Sequence, residues 1–276
     1  MMKINGETKI IGFFGSTYKT SKMFTLYNAA FKALQLNYVY VPFAVKDLKK
    51  AIEGIRQLGI KGVGVTIPYK IEAIKYLDEL DENAQIIGAV NVIVNDNGKL
   101  SGGNTDGLGC VKALNEVTVI KNKNVLLLGA GGAARAIAIA VTDEGGNLII
   151  LNRNADLAKQ ITRKINARSN SIQSLAQEIE QAEILINATS VGMKPNENQS
   201  LVPKGLLRSD LTVMDLVTNP KETKLLVNAK EMQSKLVYGE RMLFWQAVLK
   251  FKMFTGIDPP VRIMEQALKN INESIP

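Results

Sequence analysis

The chain has 276 residues, 46% hydrophobic and 22% charged, with 34 basic against 26 acidic side chains, no histidine and one cysteine. Length and composition suit one or two ordinary globular domains. Without histidine there is no Ser-His-Asp or Cys-His nucleophile pair, and with one cysteine there is neither a common zinc site nor an internal disulfide.

Residues 9–15 (KIIGFFG) read as a buried strand. Residues 21–37 carry Met23, Leu26, Tyr27, Ala30, Phe31 and Leu34 at helical spacing. Residues 38–45 read as a strand, and Asp47 is placed to cap a helix whose face is Leu48, Ala51, Ile52, Ile55 and Leu58. The apolar run 62–67 stops at Pro68, and a helical pattern through Ile71, Ile74 and Leu77 begins after Lys70. Lys70 is thus expected where a strand hands over to a helix, a place whose partial positive charge disfavours a cation. AVNVIV and KLSGG read as a hairpin turning through Asn95 to Gly98. This order implies a mainly parallel sheet with helices on its faces. A second alternating series begins at NVLLLGAGGAARAIAIAV, and two amphipathic helices, 241–254 and 261–271, close the chain.

In the second series Gly129, Gly131 and Ala134 stand at G-x-G-x-x-A spacing, after an apolar strand and at the opening of an Ala-rich helix. The first glycine permits a tight turn, the second lets a pyrophosphate approach the backbone, and the small third residue lets the helix pack close. The expected dinucleotide cradle is Gly129, Ala130, Gly131, Gly132 and Ala133. The next strand ends in Asn152, Arg153 and Asn154, where an NAD-binding domain usually has Asp or Glu. An arginine there suits a 2′-phosphate and points to NADP(H).

In a chain without histidine, proton transfer falls to Lys, Asp, Glu or Tyr. GVTIPYK, GAVNVIV and GGNTDGLG lie within 46 residues. Asp106, taken alone, reads as a helix N-cap, and Lys70 alone as a solvated charge. The glycines around Asn104-Thr105-Asp106 argue for close approach of a ligand or of another backbone.

These motifs, with GAGGAARA, NR, INATSVGM, DLVTNPKETKLL and YGERMLFWQA, resemble the shikimate dehydrogenase family, in order and over nearly the whole chain. The resemblance implies an α/β fold of two domains. A mainly parallel substrate domain takes residues 1–103 plus 243–276, and a Rossmann NADP-binding domain takes 104–242. It implies reversible NADP-dependent reduction of 3-dehydroshikimate to shikimate, or of a related polyol acid, in aromatic amino-acid biosynthesis. The family's catalytic lysine and aspartate map onto Lys70 and Asp106. Lys70 would exchange a proton with the C3 oxygen, and Asp106 would orient its ammonium. Ser21, Thr66, Asn91, Asp106 and Gln246 match residues directed at the substrate. Asn187, Thr189 and Val191 match a loop near the cofactor, and Gly239 and Met242 a segment lining the nicotinamide. No metal, nucleic-acid or membrane partner is expected. The expected protein is a cytoplasmic monomer or homodimer acting on a small molecule.

The chain departs from the family pattern at three polar positions: Met23 replaces a second serine, Gly64 an asparagine and Thr218 a tyrosine. Lys19, Thr20 and Lys22 are candidates to replace the carboxylate contacts. The departures resemble the divergent shikimate dehydrogenase-like branch. A quinate or aminoshikimate dehydrogenase and a ligand-sensing module on the same scaffold are the alternatives.

Overall fold

The computed structural model describes residues 4–16 and 22–273. It forms two compact units, one of residues up to 105 together with those from 246 onward, the other of residues 106–245. These boundaries fall a few residues past the expected 103/104 and 242/243, for local reasons. Asn104 Nδ2 donates to Ala89 O at 2.9 Å, and the Thr105 amide donates to Asn91 Oδ1 at 3.0 Å, which ties both residues to the first unit. Trp245 Nε1 donates to Glu116 Oε1 at 2.8 Å, and its ring packs on the second unit's core.

In the first unit the chain runs β1 (Lys9–Gly15), α1 (Lys22–Ala33), β2 (Tyr38–Ala44), α2 (Leu48–Gln57) and β3 (Gly62–Val65). There follow a short 3-10 helix (Glu72–Tyr76), β4 (Glu79–Leu80), α3 (Glu82–Ile87) and the hairpin β5 (Val92–Asp96) and β6 (Lys99–Gly103). The sheet order is β2-β1-β3-β5-β6-β4. The β1/β2, β1/β3 and β4/β6 pairs are parallel, and β5 runs antiparallel to both its neighbours. The hairpin turns at Asn97 (φ 51°) and Gly98 (φ 93°), both left-handed as a two-residue turn requires. Asp47 caps α2, accepting from the Lys50 amide. Apolar residues of α9 (Gly239–Thr255) and α10 (Val261–Glu273) return to this unit. Phe251 lies 5.6 Å from Phe31 and Phe254 lies 6.1 Å from Tyr27, ring to ring.

The expected helix after Lys70 is a 3-10 helix of five residues that starts at Glu72. The Tyr69 amide donates to Thr66 O at 2.9 Å, so a turn separates Lys70 from the strand. So short a helix sums few peptide dipoles, and the dipole account of Lys70 loses its footing.

The second unit opens with α4 (Asp106–Leu114) and continues β7 (Asn124–Leu128), α5 (Gly132–Asp143), β8 (Asn147–Asn152), α6 (Ala155–Thr162), β9 (Arg168–Ser171) and α7 (Leu175–Glu180). It ends with β10 (Ile184–Asn187), β11 (Thr212–Asp215), α8 (Lys224–Glu231) and β12 (Lys235–Tyr238), before α9 begins. All its strands are parallel, in the order β12-β11-β10-β7-β8-β9. That is the doubly wound dinucleotide-binding order. Val125 and Leu127 of β7 face one core, Leu126 and Leu128 the other. A sheet buried on both faces explains why its strands read as unbroken apolar runs.

Candidate functional site

The second unit carries a cavity at the carboxyl ends of β7, β8 and β10, where the strand order reverses. The cavity measures 640 Å³ and is lined by Gly129, Ala130, Gly131, Leu151, Asn152, Arg153, Ile172, Ala188 to Val191, Asn196, Gln199 and Leu201. Gly129 has φ +111°, and a Cβ on it would lie 3.0 Å from Ala188 O. Only glycine fits that turn without strain. Gly131 caps α5 in an extended conformation without a side-chain hydrogen bond, and Cβ atoms on Gly131 or Gly132 would meet nothing within 4 Å. The first amides of α5 thus sit behind open space, as an anion site at a helix start requires. Ala134, the small third residue, is fully buried in the core.

Arg153 is exposed at the end of β8, and no ion pair or hydrogen bond holds it among the described residues. A free guanidinium in place of the usual acid fits a 2′-phosphate. Asn154 caps α6, its side chain accepting from the Asp156 amide at 3.0 Å. Its backbone carbonyl accepts from Asn152 Nδ2 at 2.9 Å. Gly132, Ala133, Asn154, Gly239 and Met242 do not line the cavity. Met242 is buried in the core, and Gly239 lets α9 begin against β11, since a Cβ there would lie 2.6 Å from Leu216 O. Beyond Leu151, Ala188 and Ser190, which stand beside expected residues, the sequence reading missed Ile172, Asn196, Gln199 and Leu201. Ile172 follows the polar strand RSNS, and the other three lie on an irregular loop, so no periodicity marked them.

In the first unit Asn91 is fully buried. Its Nδ2 donates to Thr105 Oγ1 at 3.2 Å, and its carbonyl accepts from the Val65 amide at 2.9 Å. Thr66 and Lys70 are half-buried, as is Gln246 on α9. The Val90 amide donates to Lys70 O at 2.8 Å, which anchors the backbone that carries the lysine. Ser21, Lys19 and Thr20 lie outside the described residues. Met23 belongs to the buried stripe of α1 with Leu26, Tyr27, Ala30 and Phe31. At Gly64 a Cβ would lie 3.1 Å from Tyr40 Oη and 3.3 Å from the Phe13 ring. Tyr40 is 4% exposed and stacks on Tyr27 at 4.4 Å. Burial pushes its hydroxyl well above the ordinary tyrosine value, so it stays protonated.

Asp106 is 1% exposed and opens α4. A carboxylate suits a helix start electrostatically. Burial, and then the Asp106 charge, push the Cys110 thiol up, so that thiol is no nucleophile. A Cβ on Gly107 would overlap the Ala136 carbonyl, so the glycine after Asn-Thr-Asp serves another backbone. Thr218 is exposed.

Three family descriptions match along the chain. They are a shikimate dehydrogenase substrate-binding domain over residues 13–93, a shikimate/quinate 5-dehydrogenase domain over 112–234, and a shikimate 5′-dehydrogenase C-terminal domain over 239–269. A shikimate dehydrogenase (NADP(+)) of Pyrococcus furiosus is 47% identical over 95% of this chain and 96% of its own. A shikimate dehydrogenase solved in complex with NADP+ is 42% identical, with TM-score 0.90 over 98% of this chain and 97% of the other. A shikimate 5-dehydrogenase from Listeria monocytogenes, solved with shikimate and NAD, is 38% identical, with TM-score 0.90 over 96% and 98%. With motifs, both folds and full-length likeness in agreement, the chain belongs to the shikimate dehydrogenase family.

Proposed function

We propose that this protein is an NADP-dependent shikimate dehydrogenase, reversibly reducing 3-dehydroshikimate to shikimate in aromatic amino-acid biosynthesis. The observation that carries the reading is the open cradle of Gly129 to Gly132 with the exposed Arg153 lining the same cavity, in a chain of this family. The residues up to 105 with those from 246 form the substrate domain, and residues 106–245 the NADP domain. Gly129, Ala130, Gly131, Gly132 and Ala133 receive the pyrophosphate. Asn152 and Arg153 receive the 2′-phosphate side, Asn154 holds α6 behind them, and Thr189, Val191, Gly239 and Met242 serve the nicotinamide side. NADPH, when bound, supplies the hydride for the substrate's C3.

The chain's own chemistry is proton transfer and orientation. Lys70 gives a proton to the C3 oxygen as the ketone is reduced and takes it back in the reverse direction, and Asp106 is its acidic counterpart. Thr66, Asn91, Gln246 and Ser21 bind the substrate's hydroxyls and carboxylate. The single thiol, Cys110, is buried and fits a reducing compartment such as the cytoplasm. Among the described residues, no helix is long and apolar enough to cross a membrane.

A thioether at Met23, no side chain at Gly64 and a hydroxyl at Thr218 shorter in reach than a tyrosine's depart from the family's polar set, which favours a related polyol acid as the second reading. Steady-state rates with NADP+ on shikimate, quinate and aminoshikimate decide between them. The highest kcat/KM is expected on shikimate. Faster turnover of another acid would keep the reaction class and replace the substrate.

A further inference from the structure

Asp215 closes β11, is fully buried and has no part in the chemistry above. Its Oδ1 accepts from Asn187 Nδ2 at 3.0 Å and from the Val217 amide at 3.1 Å. Its Oδ2 accepts from Thr223 Oγ1 at 2.6 Å. Asn187 closes β10, and its one amide group grips both ends of the segment that follows. Asn187 Nδ2 also donates to Val191 O at 3.2 Å. Asn187 Oδ1 accepts from the Thr189 amide at 3.1 Å and from Thr189 Oγ1 at 2.7 Å. Thr189 Oγ1 in turn accepts from the Val191 amide at 3.2 Å. The gripped residues, Ala188 to Val191, form one wall of the dinucleotide cavity.

An asparagine amide has two orientations related by a half turn, with the oxygen and nitrogen exchanged. Here one satisfies Thr189 and Val191, and the other would set oxygen against Val191 O and N–H against the Thr189 amide. An ionised carboxylate only accepts, so Asp215 admits only the orientation that puts Nδ2 towards it. We propose that Asp215 is a positioning residue for the cofactor: by fixing the Asn187 amide it holds Thr189 and Val191 in the shape that receives the dinucleotide. The proposal rests on the cavity being the NADP site.

Asp215 also has a structural contact, because Thr223 caps α8 by accepting from the Leu226 amide at 3.3 Å. The test separates the two roles. Wild type is first titrated with NADPH; no binding there would overturn the cofactor reading itself. Asp215→Ala is then expected to raise the NADPH dissociation constant roughly tenfold, the effect of one lost charged hydrogen bond. The KM for shikimate at saturating cofactor should stay within about twofold, since that substrate lies elsewhere. Asp215→Asn keeps an acceptor towards Asn187 and should restore near-wild-type NADPH affinity. Thr223→Ala removes the α8 cap and should lower Tm with NADPH affinity unchanged.

If Asp215→Ala does not fold, Asn187→Ala breaks the same relay from its other end and should give the same rise. Where both fold, the double variant should lose no more than either single one. NADPH affinity unchanged in Asp215→Ala or Asn187→Ala, or lowered equally by Thr223→Ala, would overturn the proposal.

Discussion

Arg153 follows β8 with no ion pair or hydrogen bond to its guanidinium among the described residues, and the acid that would repel a 2′-phosphate is missing. Arg153→Ala should weaken NADPH binding roughly tenfold or more, the worth of one charge-assisted contact, and leave NADH binding nearly unchanged. Titrating both reduced cofactors against both proteins checks it, and equal losses for the two would contradict it. The substrate side follows the same logic. Met23 and Gly64 stand where the family pattern has side chains that contact the substrate, and each such contact to a charged group is worth about 1.5–3 kcal/mol. The KM for shikimate should therefore exceed, by about tenfold or more, that of a family member with serine and asparagine there. The structure limits the obvious repair. Gly64→Asn sets its Cβ 3.1 Å from Tyr40 Oη, so the stacked Tyr40 must shift, and Met23→Ser removes a buried side chain from α1. Such large-to-small core changes cost about 2–5 kcal/mol, so the double variant should show a lowered Tm even where shikimate affinity recovers.

At the scale of elements, the turn from β7 into α5 depends on Gly129. Gly129→Ala should cost roughly 1–3 kcal/mol from the left-handed backbone alone and lower NADPH affinity, as urea midpoints and titration would read. The ends of β10 and β11 meet at Asp215, whose pKa burial raises to about 6 against the hydrogen bonds that lower it. The groups facing it, Asn187, Thr223 and the Val217 amide, are uncharged. A carboxyl with a folded value above its unfolded one favours the fold while protonated. That contribution is full below the unfolded value and is lost as pH rises through about 6. The loss from acid to neutral pH is about 3 kcal/mol by the size of the shift. Asp215→Asn titrates nowhere in this window and should flatten the pH dependence of the urea midpoint there. A variant that keeps the wild-type slope would contradict this assignment.

Most of these elements were legible in the sequence, because β1, β3, β7, β8, β10 and β11 are apolar runs largely buried in their sheets and β2 is an apolar run on a half-buried edge. The legible elements carried the cofactor site with them, since a glycine pattern means something only after a strand and before a helix. The misses have local causes. β9 is RSNS, an edge strand with no apolar alternation, and β4 is two residues long. The helix expected after Lys70 shrank to a 3-10 turn: Ile74 and Leu77 pack against the first unit's core, but Ile71 is exposed, so the three apolar positions do not form one buried helical face. Asp215 opens the quoted motif DLVTNPKETKLL, yet its role was not legible, because an aspartate after an apolar run looks like any strand end. Its partners, Asn187 and Thr223, are brought to it only by the pairing of β10 with β11.

At the scale of the whole molecule, the order of motifs along the chain foretold two α/β units, and the family resemblance gave the closing helices to the first. Phe251 and Phe254 join Tyr27 and Phe31 in that unit's core. A chain with no histidine must move its proton by another group, and Lys70 is the group the family pattern assigns. The most direct test is the initial rate of NADPH formation from NADP+ and shikimate, measured for wild type and Lys70→Ala at saturating cofactor. The account predicts measurable turnover by wild type, a loss on the order of 10²–10⁴-fold in the variant, and unchanged NADPH affinity. A variant that turns over shikimate as fast as wild type would contradict it.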